Sequence, residues 1–192
     1  MAESSIDAMA IIGYFYPEDS PLRQLLLKHS MQVKNKALEI ADKAPGVVVD
    51  REVVTAGAML HDIGIKFCHA PSIYCHGELD YILHGSCGGD MLRSYGMEKG
   101  LDLEAYARIC ERHTGSGITA QEVAAQKLPL EIRNYLPETN EEKLIALADK
   151  FFSKSGDLQE KPLAKIRRSM AKFGEASLQR FDDMCDLFGI KE

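Results

Sequence analysis

From Arg51 to His61 the chain is apolar nearly all round: Val53, Val54, Ala56, Gly57, Ala58 and Leu60 share that short stretch. A helix with no polar face belongs in an interior, with other helices packed around it. Asp50 precedes it as a helix cap. It ends on two adjacent metal-binding side chains, His61 and Asp62, followed by Ile63 and Gly64. The helix thus carries an imidazole and a carboxylate inward, and Gly64 lets the chain turn away.

The rest of the chain also reads as helices. Residues 5–15 form a short apolar helix that Tyr16-Pro17 breaks. Ser20-Pro21 opens a helix over 21–43, with Leu22, Leu25, Leu26, His29 and Val33 on one face. Residues 65–79 show no period and read as a loop over the mouth of a site. A glycine-rich helix over 80–95 carries His84, with Gly96 as its C-cap. Asp102 caps a helix that ends at His113, and Thr114-Gly115-Ser116-Gly117 is a turn. Thr119 with Glu122, and Thr139 with Glu142, are capping boxes. The second opens a helix over 140–153 in which Asp149 is flanked by apolar residues. From Pro162 to Phe188 the chain is amphipathic helix, broken at Gly174. No period-two stretch is long enough for a strand. The expected fold is all-α: one domain over 1–192, with a core at about 20–155 and a helical extension over 160–190.

Composition narrows the function. A net charge of -6 argues against a broad basic surface for a nucleic-acid polymer. No apolar run reaches membrane-spanning length, and Glu3 and Asp7 leave no basic leader. The 5 cysteines never form C-x-x-C, which suits reduced thiols in the cytoplasm.

Histidine and aspartate carry the chemistry. His29, His84, His113 and Asp149 each lie on a separate expected helix, far in sequence from His61-Asp62. Neutral imidazoles and carboxylates on a rigid frame are ligands for divalent transition metals, whether Fe, Mn, Co, Ni or Zn. His29, His61, Asp62 and Asp149 would hold a first metal. His84 and His113 would hold a second, with Asp62 bridging through its other oxygen. Two divalent cations would outweigh two carboxylates, leaving a positive pocket suited to a small phosphate-bearing anion. A bland reading remains for each residue alone, because single buried histidines are usually hydrogen-bonded core.

The order His29, His61-Asp62, His84, His113, Asp149 resembles the HD-domain superfamily of metal-dependent phosphohydrolases, and His61-Asp62-Ile63-Gly64 matches its HDIG variant. The resemblance covers roughly 20–155 and is to the two-metal branch, which includes cyclic-dinucleotide phosphodiesterases and diadenosine-tetraphosphate hydrolases. Arg112-His113-Thr114-Gly115, Pro137-Glu138-Thr139 and Glu141-Glu142-Lys143 resemble an HDIG subgroup of bacteria and archaea. The chain departs from many members in placing Ile65 where they have lysine, with Lys66 next, and no GYP motif is present. The resemblance implies hydrolysis of a phosphate ester by metal-activated hydroxide, with Asp62 orienting the nucleophile. Lys66, Arg112, Lys150 and Arg23 are candidate phosphate contacts, and Thr114 and Ser116 with their turn amides could hold a phosphate oxygen. Tyr74 and Tyr81 are the nearest aromatic rings for a base.

Two other functional classes share the ligand set: a di-iron oxygenase, as in a minority of HD-like proteins, and a metal-bearing scaffold or sensor without turnover. Separately, Cys68-His69 and Cys75-His76 repeat a Cys-His pair seven residues apart. They could hold a structural zinc, or His69 or His76 could reach the main site.

Overall fold

The computed structural model describes residues 6–156 and 158–191. Their order is α1 (Ala8–Phe15), α2 (Pro21–Lys43), α3 (Arg51–Leu60), a 3-10 helix at Ile63–Phe67, β1 (His69–Ala70), β2 (Cys75–His76), α4 (His84–Lys99), α5 (Glu104–Arg112), α6 (Ala120–Gln126), α7 (Asn140–Lys150), α8 (Leu163–Ala171) and α9 (Glu175–Leu187). The fold is all-α apart from one two-residue hairpin among the described residues.

Helix starts follow local polar chemistry. The Asp50 carboxylate accepts from the N–H groups of Glu52 and Val53 at 2.9 and 3.2 Å, opening α3. Both capping boxes form, at Thr119/Glu122 and Thr139/Glu142. Ser20 accepts from Arg23 N–H at 3.2 Å, with Pro21 at the first helical position. Gly174, at φ +106°, separates α8 from α9, as expected from the sequence.

The all-round apolarity of α3 has a direct cause: two apolar clusters flank it. Ala56, Met59 and Leu60 pack with Ile11, Ile12, Leu26 and Leu92. Val54 and Ala58 pack with Val33, Leu144, Ile145 and Phe181. The C-terminal end of α3 is therefore the middle of the molecule, which is why His61 and Asp62 are fully buried.

Several boundaries differ from the sequence reading. Helix α1 begins at Ala8 because Asp7 caps it, accepting from Ala10 N–H at 2.9 Å; Ser5 lies outside the described residues. Helix α4 does not stop at Gly96. It runs to Lys99 and closes on Gly100, at φ +68°. Gly96 is instead a close-approach position, where a Cβ would lie 2.6 Å from Leu101 O. Helix α7 ends at Lys150, so residues 151–153 are not helical.

The 65–79 loop also has more order than its lack of period suggested. Its hairpin pairs His69 with His76 and Ala70 with Cys75, turning through Tyr74 at φ +63°. Strands of two residues are too short to show alternation in a sequence. Gly64 does not have a left-handed φ; its role is close packing. A Cβ there would lie 2.2 Å from His84 O and 2.4 Å from Gly88 N.

Candidate metal centre

Each candidate ligand arrives on a different packed element. His29 comes from mid-α2, His61 and Asp62 from the end of α3, His84 from the first residue of α4, His113 from the residue after α5, and Asp149 from the last turn of α7. All six are buried. Their ligand atoms fall into two overlapping groups: His29, His61, Asp62 and Asp149, and Asp62, His84 and His113.

Asp62 divides its oxygens between the groups. Oδ2 lies 3.3 Å from His29 Nε2 and 3.1 Å from His61 Nε2. Oδ1 lies 3.5 Å from His84 Nε2 and 3.3 Å from His113 Nε2. Asp149 Oδ1 completes the first group, 2.9 Å from His29 Nε2 and 3.6 Å from His61 Nε2. Donors about 2.1 Å from one ion stand roughly 3.0–3.4 Å apart at octahedral or tetrahedral angles, so both groups have the spacing of a coordination sphere.

The hydrogen bonds around the rings fix which nitrogens point inward. His61 Nδ1 meets Ala58 O at 2.7 Å, His84 Nδ1 meets Tyr81 O at 2.6 Å, and His113 Nδ1 meets Cys110 O at 2.8 Å. A carbonyl only accepts, so each Nδ1 carries the proton and each Nε2 offers its lone pair to the centre. His61 Nε2 and Asp62 Oδ1 are buried without a hydrogen-bond partner. Buried polar atoms left unpaired are costly. A divalent cation in each group would satisfy them, and the residues fit such an ion.

Charge agrees in most respects. Burial, aided by the Lys154 charge, lowers His29 to about 4, and burial with the neighbouring His113 lowers His84 to about 3. Burial likewise lowers His113. These three rings are neutral and able to ligate at neutral pH. Asp62 is held well below the carboxylate range against burial by His61 and Lys154, and Asp149 likewise by Lys150 and Lys154. His61 is the exception. Burial lowers it, but Asp62 and Asp149 overcome that and bring it up to about 9, so metal entry there must displace a proton.

The candidate phosphate contacts fare unevenly. Lys150 Nζ is close, 2.7 Å from Asp149 Oδ2, and turns that carboxylate so that Oδ1 faces the imidazoles. Thr114, next to His113, lines a cleft of about 260 Å³ together with Ile82, Ile118, Phe173 and Arg180. Two expectations are corrected. Lys66 points away, its ammonium donating to Phe15 O at 2.7 Å over the Tyr16 ring. Arg112 braces the segment before α7, donating to Leu136 O at 2.9 Å and pairing with Glu138 at 2.8 Å. Ser116 lines the same cleft as Thr114, its hydroxyl donating to Ser177 O at 2.7 Å. Arg23 forms no ion pair with the six ligands among the described residues.

The hairpin holds no zinc group either. Cys68 and Cys75 are buried while His69 and His76 face outward, because neighbouring residues in extended chain point oppositely. Among the described residues, these four do not gather as metal ligands, and neither exposed histidine reaches the main centre. Tyr74 is exposed, whereas Tyr81 stacks on His84 with ring centroids 4.6 Å apart.

Two residues at the centre escaped the sequence reading. Tyr16 donates its hydroxyl to Ile63 O at 2.6 Å and so anchors the turn after Asp62. Lys154 places its ammonium 2.7 Å from Asp62 Oδ2. Its only sequence signal is its place five residues past Asp149, in a stretch without period.

The family model described as "HD domain" matches residues 26–153. The chain belongs to the HD-domain family. This HD-domain chain is 40% identical over 129 residues to a tRNA (cytidine(56)-2'-O)-methyltransferase of Picrophilus torridus. It is 38% identical over 128 residues to the protein of that name in Thermoplasma volcanium. Each match covers 67% of this chain but 32% of the relative, so the chain spans about a third of those proteins. It is 39% identical over 126 residues to MJ0778 of Methanocaldococcus jannaschii, covering 65% of this chain and 64% of that one. Among solved structures, the HD domain of the L. monocytogenes phosphodiesterase PgpH aligns over 95% of this chain and 96% of its own, with a TM-score of 0.49 and 16% identity. No helix among the described residues is long and apolar enough to cross a membrane.

Proposed function

We propose that this HD-domain chain is a metal-dependent phosphohydrolase that cleaves a phosphate ester in a small anionic substrate. One observation carries the reading: Asp62 lies between two donor groups and turns one oxygen to each. His29, His61, Asp62 and Asp149 would hold one divalent ion, and Asp62, His84 and His113 the other. When bound, such ions supply Lewis-acid chemistry, acidifying water and offsetting charge on phosphoryl oxygens.

The chain's own residues do the rest. Carbonyls of Ala58, Tyr81 and Cys110 hold three imidazoles with Nε2 toward the centre, so these rings need not turn to ligate. Apolar packing on both sides of α3 excludes water from beneath the centre. The cleft lined by Ile82 and Thr114, close in the chain to His84 and His113, would offer a largely apolar wall for the organic part of the ester. The net charge of -6 favours a small substrate over a nucleic-acid polymer. Five free thiols fit a reducing compartment, so we place the protein in the cytoplasm.

The relatives of Picrophilus torridus and Thermoplasma volcanium are longer proteins named for 2'-O-methyl transfer, a reaction that leaves this buried donor set unexplained. The decisive experiment strips the protein with chelator and reloads it separately with Fe, Mn, Co, Ni or Zn. Phosphate release is then measured from phosphomonoesters, nucleotides and dinucleotides. Metal-dependent release from at least one class is expected. Proven metal loading with no release from any class would overturn the reading, and substrate-dependent oxygen uptake by the iron form would replace it with the oxygenase.

A further inference from the structure

Lys154 meets the same two oxygens that define the first donor group. Its ammonium lies 2.7 Å from Asp62 Oδ2 and 3.9 Å from Asp149 Oδ1, and those are the oxygens facing His29 and His61. The side chain is 15% exposed. The ammonium is thus where an ion of that group would draw its ligands. Two cations sharing those oxygens would stand only a few ångströms apart, and like charges at such a distance repel strongly in a buried setting. Metal entry therefore requires Lys154 to move.

The chain gives it room to move while keeping it at the centre. Helix α7 has already ended at Lys150, and Lys154 sits on irregular backbone with a flexible four-carbon stem. The Tyr81 hydroxyl lies beside the ammonium, and the Tyr81 ring is packed on His84. A displaced Lys154 would remain next to both donor groups, facing two dications with both carboxylates committed to them. An excess of buried positive charge is stable there only with an anion between.

We propose that Lys154 has two positions: in the metal-free protein it is the counter-ion of Asp62 and Asp149, and in the loaded protein it grips a phosphoryl oxygen of the substrate. This rests on the phosphohydrolase reading and adds the residue that recognises the phosphoryl group. Lys154 would take the place that Lys66, turned toward Phe15, does not fill.

The two positions have opposite consequences on substitution, which a merely structural lysine would not show. Lys154→Met removes a competing cation, so chelator-stripped protein should bind Mn²⁺ about tenfold more tightly, read from the spin signal of the free ion. The same variant, loaded with Mn²⁺, should bind inorganic phosphate at least about tenfold more weakly by calorimetry, having lost a charge-assisted hydrogen bond. Lys154→Arg should keep phosphate affinity. Should metal-free Lys154→Met melt below the working temperature, that supports the counter-ion position, and the loaded form still carries the phosphate comparison.

Unchanged phosphate affinity in Lys154→Met, or weakened binding of both metal and phosphate, would overturn the proposal. If the wild type still releases phosphate from esters, that failure concerns Lys154 alone. A wild type that loads metal yet neither binds phosphate nor hydrolyses any ester would remove the phosphohydrolase reading and Lys154's role with it.

Discussion

His84 Nε2 stands 3.0 Å from His113 Nε2, and each ring has its Nδ1 on a backbone carbonyl. Two neutral imidazoles so held turn lone pair against lone pair. That contact is unfavourable unless a cation lies within reach of both, and Asp62 Oδ1 supplies the third donor. His84→Ala should therefore lower bound metal from two ions per chain to one, with the first group intact. Elemental analysis of the purified variant gives the count, and two retained ions would contradict the assignment. Phosphate release should fall at least about 100-fold, since several kcal/mol of charge stabilisation leave with the ion.

Asp62 serves both groups, so its loss should be felt in both. Asp62→Ala is expected to remove most bound metal and abolish hydrolysis. Asp62→Asn keeps the shape and loses the charge, and should retain at most one weakly held ion. Retained metal and turnover in Asp62→Ala, measured by elemental analysis and phosphate release, would exclude the bridging role.

The metal-free protein should have a stability maximum near neutral pH. His29 and His84 are lowered to about 4 and about 3 by burial, with Lys154 and His113 adding to it, while unfolded histidines titrate near 6.5. Below about pH 6.5 the unfolded chain takes up protons that these folded rings refuse, so stability falls as pH drops. Asp62 and Asp149, held low, add to that loss in stronger acid. His61 works in the other direction. Raised to about 9 by Asp62 and Asp149 against the effect of burial, it contributes stability below about 6.5 that is lost as pH rises through 9. Melting temperatures of chelated protein between pH 4 and 10 should trace a dome, and a flat profile would show that these rings are not buried as described.

Gly64 is a packing requirement. A Cβ there would meet backbone on two sides, His84 O at 2.2 Å and Gly88 N at 2.4 Å, and backbone cannot rotate away. Gly64→Ala should cost about 1–3 kcal/mol by urea denaturation, the usual range for overpacking. The strain falls on the residue that begins α4, so the variant should also hold its second metal less tightly. Equal stability and equal metal content would refute the close approach.

Helix type and several helix starts were legible locally. Caps at Ser20, Asp50, Thr119 and Thr139, and the break at Gly174, depend on bonds within a few residues, and such bonds are written in short stretches of sequence. The all-round apolar residues of α3 announced burial, and with it the interior placing of His61 and Asp62. The choice of six candidate ligands was also open to the sequence, because histidine and aspartate in apolar surroundings need a partner.

What the tertiary structure decided was direction. Lys66, Arg112 and Lys154 are equally cationic in sequence, yet the first ends on Phe15 O, the second on Leu136 O and Glu138, and the third on Asp62. A long flexible side chain reaches whatever the packed elements leave within range, and that depends on residues far off in sequence. The division of Asp62's two oxygens between donor groups arises the same way. It needs α2, α4, α5 and α7 to converge on the end of α3, a long-range fact that no local pattern encodes.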